Sequence, residues 1–260
     1  MRFLSIFLLS LLVTFTHCIP SPQTPSTIPN TFTKRNEDVV HSGNYAIVNC
    51  ATKATPADLL LRRTYNRLGD VITDLDDHGL SSPYGLKAFF KSASAILRIR
   101  EVFSRIRRGD SIYPNGVEAA PVLYCLSADD PDEYARNIYN DQCVKKGYPA
   151  GTIAGTEFVV LCPLFWTVEI EPGPEECPIL LFNRFPRETD GLIQNQFSTL
   201  VHELVHLYGV EGSATGMETY GVQEVIELGA AQSVENAANY EYYASFVVAG
   251  CTEAPTIFGP

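Results

Sequence analysis

Histidine is scarce in this chain: 260 residues contain five, and one of these, His17, sits in a leader-like stretch. Basic residues are also few. Nineteen Lys and Arg stand against 30 Asp and Glu, a net charge of −11. Such a balance speaks against nucleic acid or an anionic membrane as partner. Nowhere after the first residues is there the ~18–20-residue apolar run of a membrane span. The sequence has no Asn-x-Ser/Thr triplet, which excludes N-glycosylation. It also lacks Cys-x-x-Cys, so the cysteines carry no metal-site spacing. No internal repeat is visible, which sets aside solenoids.

What is present begins with a secretory pattern. Residues 1–18 combine Arg2 with the apolar stretch Phe3 to Phe15, too short to span a bilayer, and read as a signal peptide. Residues 19–35 are rich in Pro, Ser and Thr and end in Lys34-Arg35. They read as a short pro-segment closed by a dibasic processing site, or else as a plain flexible tail. Residues 36–260 are then one domain, long enough for a sizeable core. Loss of Arg2, Lys34 and Arg35 takes the basic count from 19 to 16 against 30 acids, a net charge of −14. Cys18 belongs to the leader. Cys50, Cys125, Cys143, Cys162, Cys177 and Cys251 remain, an even set that in a secreted, extracellular protein implies three disulfides.

Hydrophobic spacing lays out the domain. A short strand is expected at Tyr45 to Val48. Thr55, Pro56 and Gly79 bracket a first long helix whose face is Leu61, Tyr65, Leu68, Ile72 and Leu75. A second helix runs from Gly85 to Arg108, with Leu86, Phe89, Phe90, Ala93, Leu97 and Phe103 buried and Gly109 as its stop. Pro121 to Leu126, Glu157 to Leu161 and Ile179 to Phe182 read as strands, with one short helix within Asp129 to Asp141. Two closing helices cover Val222 to Ala231 and Ser233 to Val248. Long amino-terminal helices, a small sheet and carboxy-terminal helices make an α+β class.

The chemistry concentrates at residues 202–206, His-Glu-Leu-Val-His. Phe197, Leu200, Val201, Leu204 and Val205 recur at helical spacing around it, Ser198 or Thr199 is a candidate N-cap, and Gly209 a stop. Histidines four apart on a helix project from one face. Two imidazoles so placed suit one Zn²⁺, and Glu203 between them suits a general base toward a water held there. The plain alternative is a chance match on an amphipathic helix.

With these residues in hand, the chain resembles the deuterolysin-type metalloendopeptidases, the secreted fungal zinc peptidases called aspzincins. The likeness spans most of residues 46–252. It rests on Ile47-Val48-Asn49-Cys50, Val160-Leu161-Cys162, the 202–206 motif, the loop Ala214-Thr215-Gly216-Met217-Glu218-Thr219-Tyr220-Gly221, and Asn236-Ala237-Ala238-Asn239-Tyr240-Glu241. The resemblance implies a zincin-like fold, His202 and His206 as ligands to one Zn²⁺, Glu203 as general base and Tyr220 as a donor to the oxyanion. It also implies the pairs Cys50–Cys125, Cys143–Cys162 and Cys177–Cys251.

The chain departs from the family at the third ligand. The family's loop aspartate falls on Met217, whose thioether is too soft to replace a carboxylate on zinc. A catalytic zinc needs three protein ligands; the expected substitute is Glu218, the nearest carboxylate, with Glu224 on the following helix as the alternative, then Glu211 or a site with only two ligands. Lysine-cleaving members hold the lysine with acids of the last-helix run; one of those positions is Ala238 here, while Glu241 is kept. The leader is also short for the family. The expected function is a secreted zinc endopeptidase acting on proteins or peptides. The alternative is a non-catalytic secreted zinc binder on a decayed peptidase scaffold.

Overall fold

The computed structural model describes residues 39–112, 119–173, 177, 195–210 and 218–252. The leader and pro-segment, the expected strand at 179–182, and Glu211 and Met217 lie outside them. Every described residue belongs to one unit, Thr31–Pro260.

The centre of the fold is a five-stranded sheet in the order β1-β2-β3-β5-β4. Its strands are β1 (Val40–Ser42), β2 (Tyr45–Val48), β3 (Val122–Cys125), β4 (Ala150–Thr152) and β5 (Phe158–Leu161). The inner strands β2, β3 and β5 are parallel, and β1 and β4 flank them antiparallel. Parallel neighbours require long crossovers. Three helices supply the first crossover, α1 (Ala54–His78), α2 (Leu86–Phe90) and α3 (Ile96–Arg108), and α4 (Glu133–Ile138) lies in the second. β3 and β5 are buried along their whole length, which explains why their sequences are unbroken apolar runs. The strand period of two divides them between two cores. Ile47, Leu123, Val159 and Leu161 face the large helical core, while Val122, Tyr124, Phe158 and Val160 face a smaller one with Ala135.

Four further helices complete the described chain: α5 (Gln196–Leu207), α6 (Val222–Glu227), α7 (Ala230–Ser233) and α8 (Ala237–Ala249). α5 carries the 202–206 motif and packs on α8, β4 and α3. Ten of its twelve residues are buried, so it is an interior helix with one open strip. The bridges are Cys50–Cys125, joining the ends of neighbouring parallel strands, Cys143–Cys162, and Cys177–Cys251 just past α8.

Several expectations need correction. The helix from Gly85 to Arg108 is two helices, broken after Phe90 where Lys91 turns left-handed at φ 57°. The second restarts at Ile96, so its inward face is Ile99, Val102, Phe103 and Ile106, and Leu97 is 78% exposed. On α1 the buried stripe runs through Leu60, Thr64 and Val71 beside Leu61, Leu68 and Leu75. Tyr65 is turned outward under the Arg107 guanidinium, 4.2 Å from its ring. The cap of α5 is neither Ser198 nor Thr199. Asn195 adopts extended backbone and its side chain accepts the Ser198 amide at 2.8 Å. The helix expected at 222–231 is interrupted at Leu228, and the last helix starts at Ala237.

Candidate metal centre

His202 and His206 lie one turn apart on α5, their ring planes 76° apart and centroids 4.9 Å apart. Their outer nitrogens are already committed. His206 Nδ1 lies 2.7 Å from the Val210 carbonyl oxygen, which can only accept, so that nitrogen carries the proton. His202 Nδ1 lies 2.8 Å from Glu241 Oε2, a carboxyl 1% exposed on α8. Both Nε2 atoms are thereby turned toward one point, as a hydrogen bond at the far nitrogen orients a metal-binding imidazole.

Glu218 supplies the third donor. Its Oε2 lies 3.1 Å from His206 Nε2 and 3.4 Å from His202 Nε2, and the two Nε2 atoms are 3.2 Å apart. Its other oxygen accepts the Ala238 amide at 3.1 Å. That amide is in the first turn of α8, where backbone donors lack helical partners and an anion is favoured. His202, His206 and Glu218 form the metal-type cluster among the described residues. Glu224 is exposed on α6 and takes no part in it.

The donor set fits zinc. Ligands at ~2.0–2.1 Å on a tetrahedron stand ~3.3–3.4 Å from one another. The three separations here bracket that edge. The donors, two imidazoles and one carboxylate, are a common catalytic set for this ion.

Electrostatics follow from the same contacts. Burial opposes charge on His202, but the hydrogen bonds and charges of Glu218 and Glu241 prevail and hold its pKa well above the ordinary imidazole value. His206 is raised in the same way, against its burial, by Glu218. Burial works to raise Glu218, yet the two imidazoles outweigh it and hold the carboxyl well below the usual carboxylate range. Burial raises Glu241.

Glu203 points from the neighbouring strip of α5 toward β4. The Thr152 hydroxyl bridges its backbone oxygen at 2.7 Å and its Oε2 at 2.9 Å. The Tyr220 ring stacks on His202 at 5.8 Å and 19°, and its hydroxyl donates to Glu218 Oε2 at 2.6 Å. Burial and the Glu218 charge keep that hydroxyl protonated far above the ordinary phenol value.

The structure thus brings His202, Glu203, His206, Glu218 and Tyr220 into one neighbourhood. Sequence reasoning missed Thr152 and the pairing of Glu241 with His202. Glu241 was visible within the 236–241 run, but nothing in Ala150-Gly151-Thr152 marks a strand or a site residue.

A family model described as lysine-specific metallo-endopeptidase, of the aspzincins, matches residues 122–245. A neutral protease 2 homolog from Phaeosphaeria nodorum is 32% identical over 168 residues, 64% of this chain and 38% of that protein. The neutral protease 2 homolog MEP3 of Coccidioides posadasii is 30% identical over 106 residues, 41% of this chain and 25% of that protein. The chain therefore spans well under half the length of these curated relatives. A solved zinc peptidase from Grifola frondosa aligns with 72% of this chain and 90% of its own, at 16% identity and a TM-score of 0.45.

Proposed function

We propose, on the premise that this chain is a deuterolysin-like member of the aspzincin family, that it is a secreted zinc endopeptidase of zincin-like fold. The observation that carries this is the cluster of His202, His206 and Glu218, three donors at the mutual spacing of a tetrahedral zinc site. His202 and His206 would bind through Nε2 and Glu218 through Oε2, with one ion in the centre. Bound zinc acidifies water and polarises a carbonyl. Glu203, steadied by Thr152, takes up the proton of the attacking water and returns it to the leaving amine. Tyr220 keeps its proton and donates it here to Glu218 Oε2; transfer of that hydrogen bond to the substrate's carbonyl oxygen would stabilise the oxygen as it becomes negative. The substrates are proteins or peptides. Glu241 is buried behind His202 and position 238 is alanine, so we extend no preference for lysine to this chain. Residues 1–18 act as signal peptide, residues 19–35 as pro-segment, and the product is extracellular.

The test is cleavage of casein and of a mixed-sequence peptide library by the chain processed after Arg35, with and without a chelator. Cleavage that stops on chelation and returns with zinc supports the proposal. Cleavage indifferent to metal removal overturns it. The non-catalytic zinc binder is not favoured: Glu203 is kept and held by Thr152, which a storage site does not need.

A further inference from the structure

Resting on the metal-centre assignment above, we propose that Asn236 is the positioning residue that sets the loop wall of the site, holding Glu218 and Tyr220 in place through the residue between them. Asn236 is fully buried at the mouth of α8. Its Oδ1 accepts the Thr219 amide at 2.9 Å, and its Nδ2 donates to the Thr219 carbonyl at 3.0 Å. One side chain therefore grips both backbone polar groups of one residue, as a neighbouring strand would. That grip fixes the backbone between Glu218 and Tyr220. On one side it delivers Glu218 to the two imidazoles and to the Ala238 amide. On the other it lays the Tyr220 ring against His202.

The grip is itself anchored. Asn236 Nδ2 also donates to Asn239 Oδ1 at 2.8 Å, and Asn239 Nδ2 donates to the Phe89 carbonyl at 2.7 Å and the Val225 carbonyl at 3.2 Å. Those two carbonyls lie in the last turns of α2 and α6, where helical acceptors lack partners. Every polar atom of the two buried amides is satisfied, and a fully satisfied buried network favours one geometry. The Glu218 segment thus inherits its position from three helices. An asparagine is required for this. Aspartate keeps the bond to the Thr219 amide but has no donor for the Thr219 carbonyl or for Asn239.

The experiment reads metal binding and backbone protection together. Cobalt(II) affinity, by competition with a chromophoric chelator, and the cobalt absorption spectrum are measured for the wild-type full chain, Asn236→Ala and the isosteric Asn236→Asp. Amide exchange at Thr219 is followed in the metal-free proteins. We expect both variants to bind cobalt on the order of 10–100-fold more weakly, with a weakened tetrahedral band and faster Thr219 exchange. Ser82→Ala, which removes a buried hydrogen bond to Asp74 outside the donor cluster, is expected to lower thermal stability and leave the cobalt spectrum unchanged. Wild-type affinity and spectrum in Asn236→Ala, or in Asn236→Asp if the alanine variant does not fold, overturn the assignment. If the wild-type chain takes up no cobalt, the metal centre itself fails. The grip of Asn236 on Thr219 is then judged by exchange alone: unchanged protection in the variants rejects it, and lost protection upholds it.

Discussion

At the scale of single residues, Glu203 and Glu218 divide the work of two carboxylates by their surroundings. Glu218 faces two imidazoles and an amide, as the donor role proposed for it requires; Glu203 faces a hydroxyl and is the residue proposed as base. Glu203→Gln keeps the shape and removes the base. It is expected to lower kcat/KM on a casein-derived peptide by about 10²–10⁴-fold while zinc content by mass spectrometry stays at the wild-type level. Glu218→Ala is expected to lose the zinc instead. The same residues give a pH signature in the metal-free protein. The raised imidazoles of His202 and His206 contribute stability below their unfolded pKa of 6.5, and lose it as pH rises through their higher folded values. The lowered Glu218 contributes above its unfolded value of 4.5 and loses its contribution as pH falls through the folded one. The melting temperature of chelated wild type should therefore exceed that of chelated Glu218→Ala most clearly between about pH 4.5 and 6.5, with the gap closing on both sides.

At the scale of elements, α5 is the piece that must be built correctly. Asn195 satisfies its first turn, and Asn195→Ala is expected to cost about 1 kcal/mol in denaturant unfolding. Leu200 and Leu204 are fully buried, and either one changed to alanine should cost about 2–5 kcal/mol by the same measurement. This element was legible in the sequence because its apolar period and its five-residue motif reinforce each other. β2, β3 and β5 were legible because strands buried on both faces show as solid apolar runs. The break at Lys91 was not, since Phe89-Phe90 and Ile96-Leu97 continue a plausible stripe across it and only a left-handed lysine shifts the register. β1 and β4 were hidden for a different reason. Three-residue edge strands hold too few side chains for any period, and Gly151 has no side chain to contribute to one. The donors on α5 were legible from local spacing, whereas Glu218 entered as one of three candidate carboxylates. What distinguishes it from Glu224 is a long-range contact: its Oε2 reaches both imidazoles of α5 while its other oxygen is held by the Ala238 amide of α8.

At the scale of the whole molecule, the bridges and the proposed metal would act on the same balance. Cys50–Cys125 and Cys177–Cys251 close separations of 75 and 74 residues, against 19 for Cys143–Cys162. Long closures restrain the unfolded chain more. Replacing Cys50 and Cys125 together by serine is expected to cost about 2–4 kcal/mol, read from urea midpoints, and replacing Cys143 and Cys162 less. A ligand that binds only the folded chain stabilises it in proportion to the logarithm of its concentration over its dissociation constant. Zinc should accordingly raise the melting temperature of the intact chain and do so far less in His206→Ala.

The last helix has a consequence for the proposed metal centre. Glu241 braces one imidazole and the Ala238 amide braces the carboxylate, so α8 holds two members of the His202, His206 and Glu218 cluster in place while contributing none of them. Loosening α8 is therefore expected to weaken metal uptake even though every ligating side chain is still present, since none of them lies on that helix.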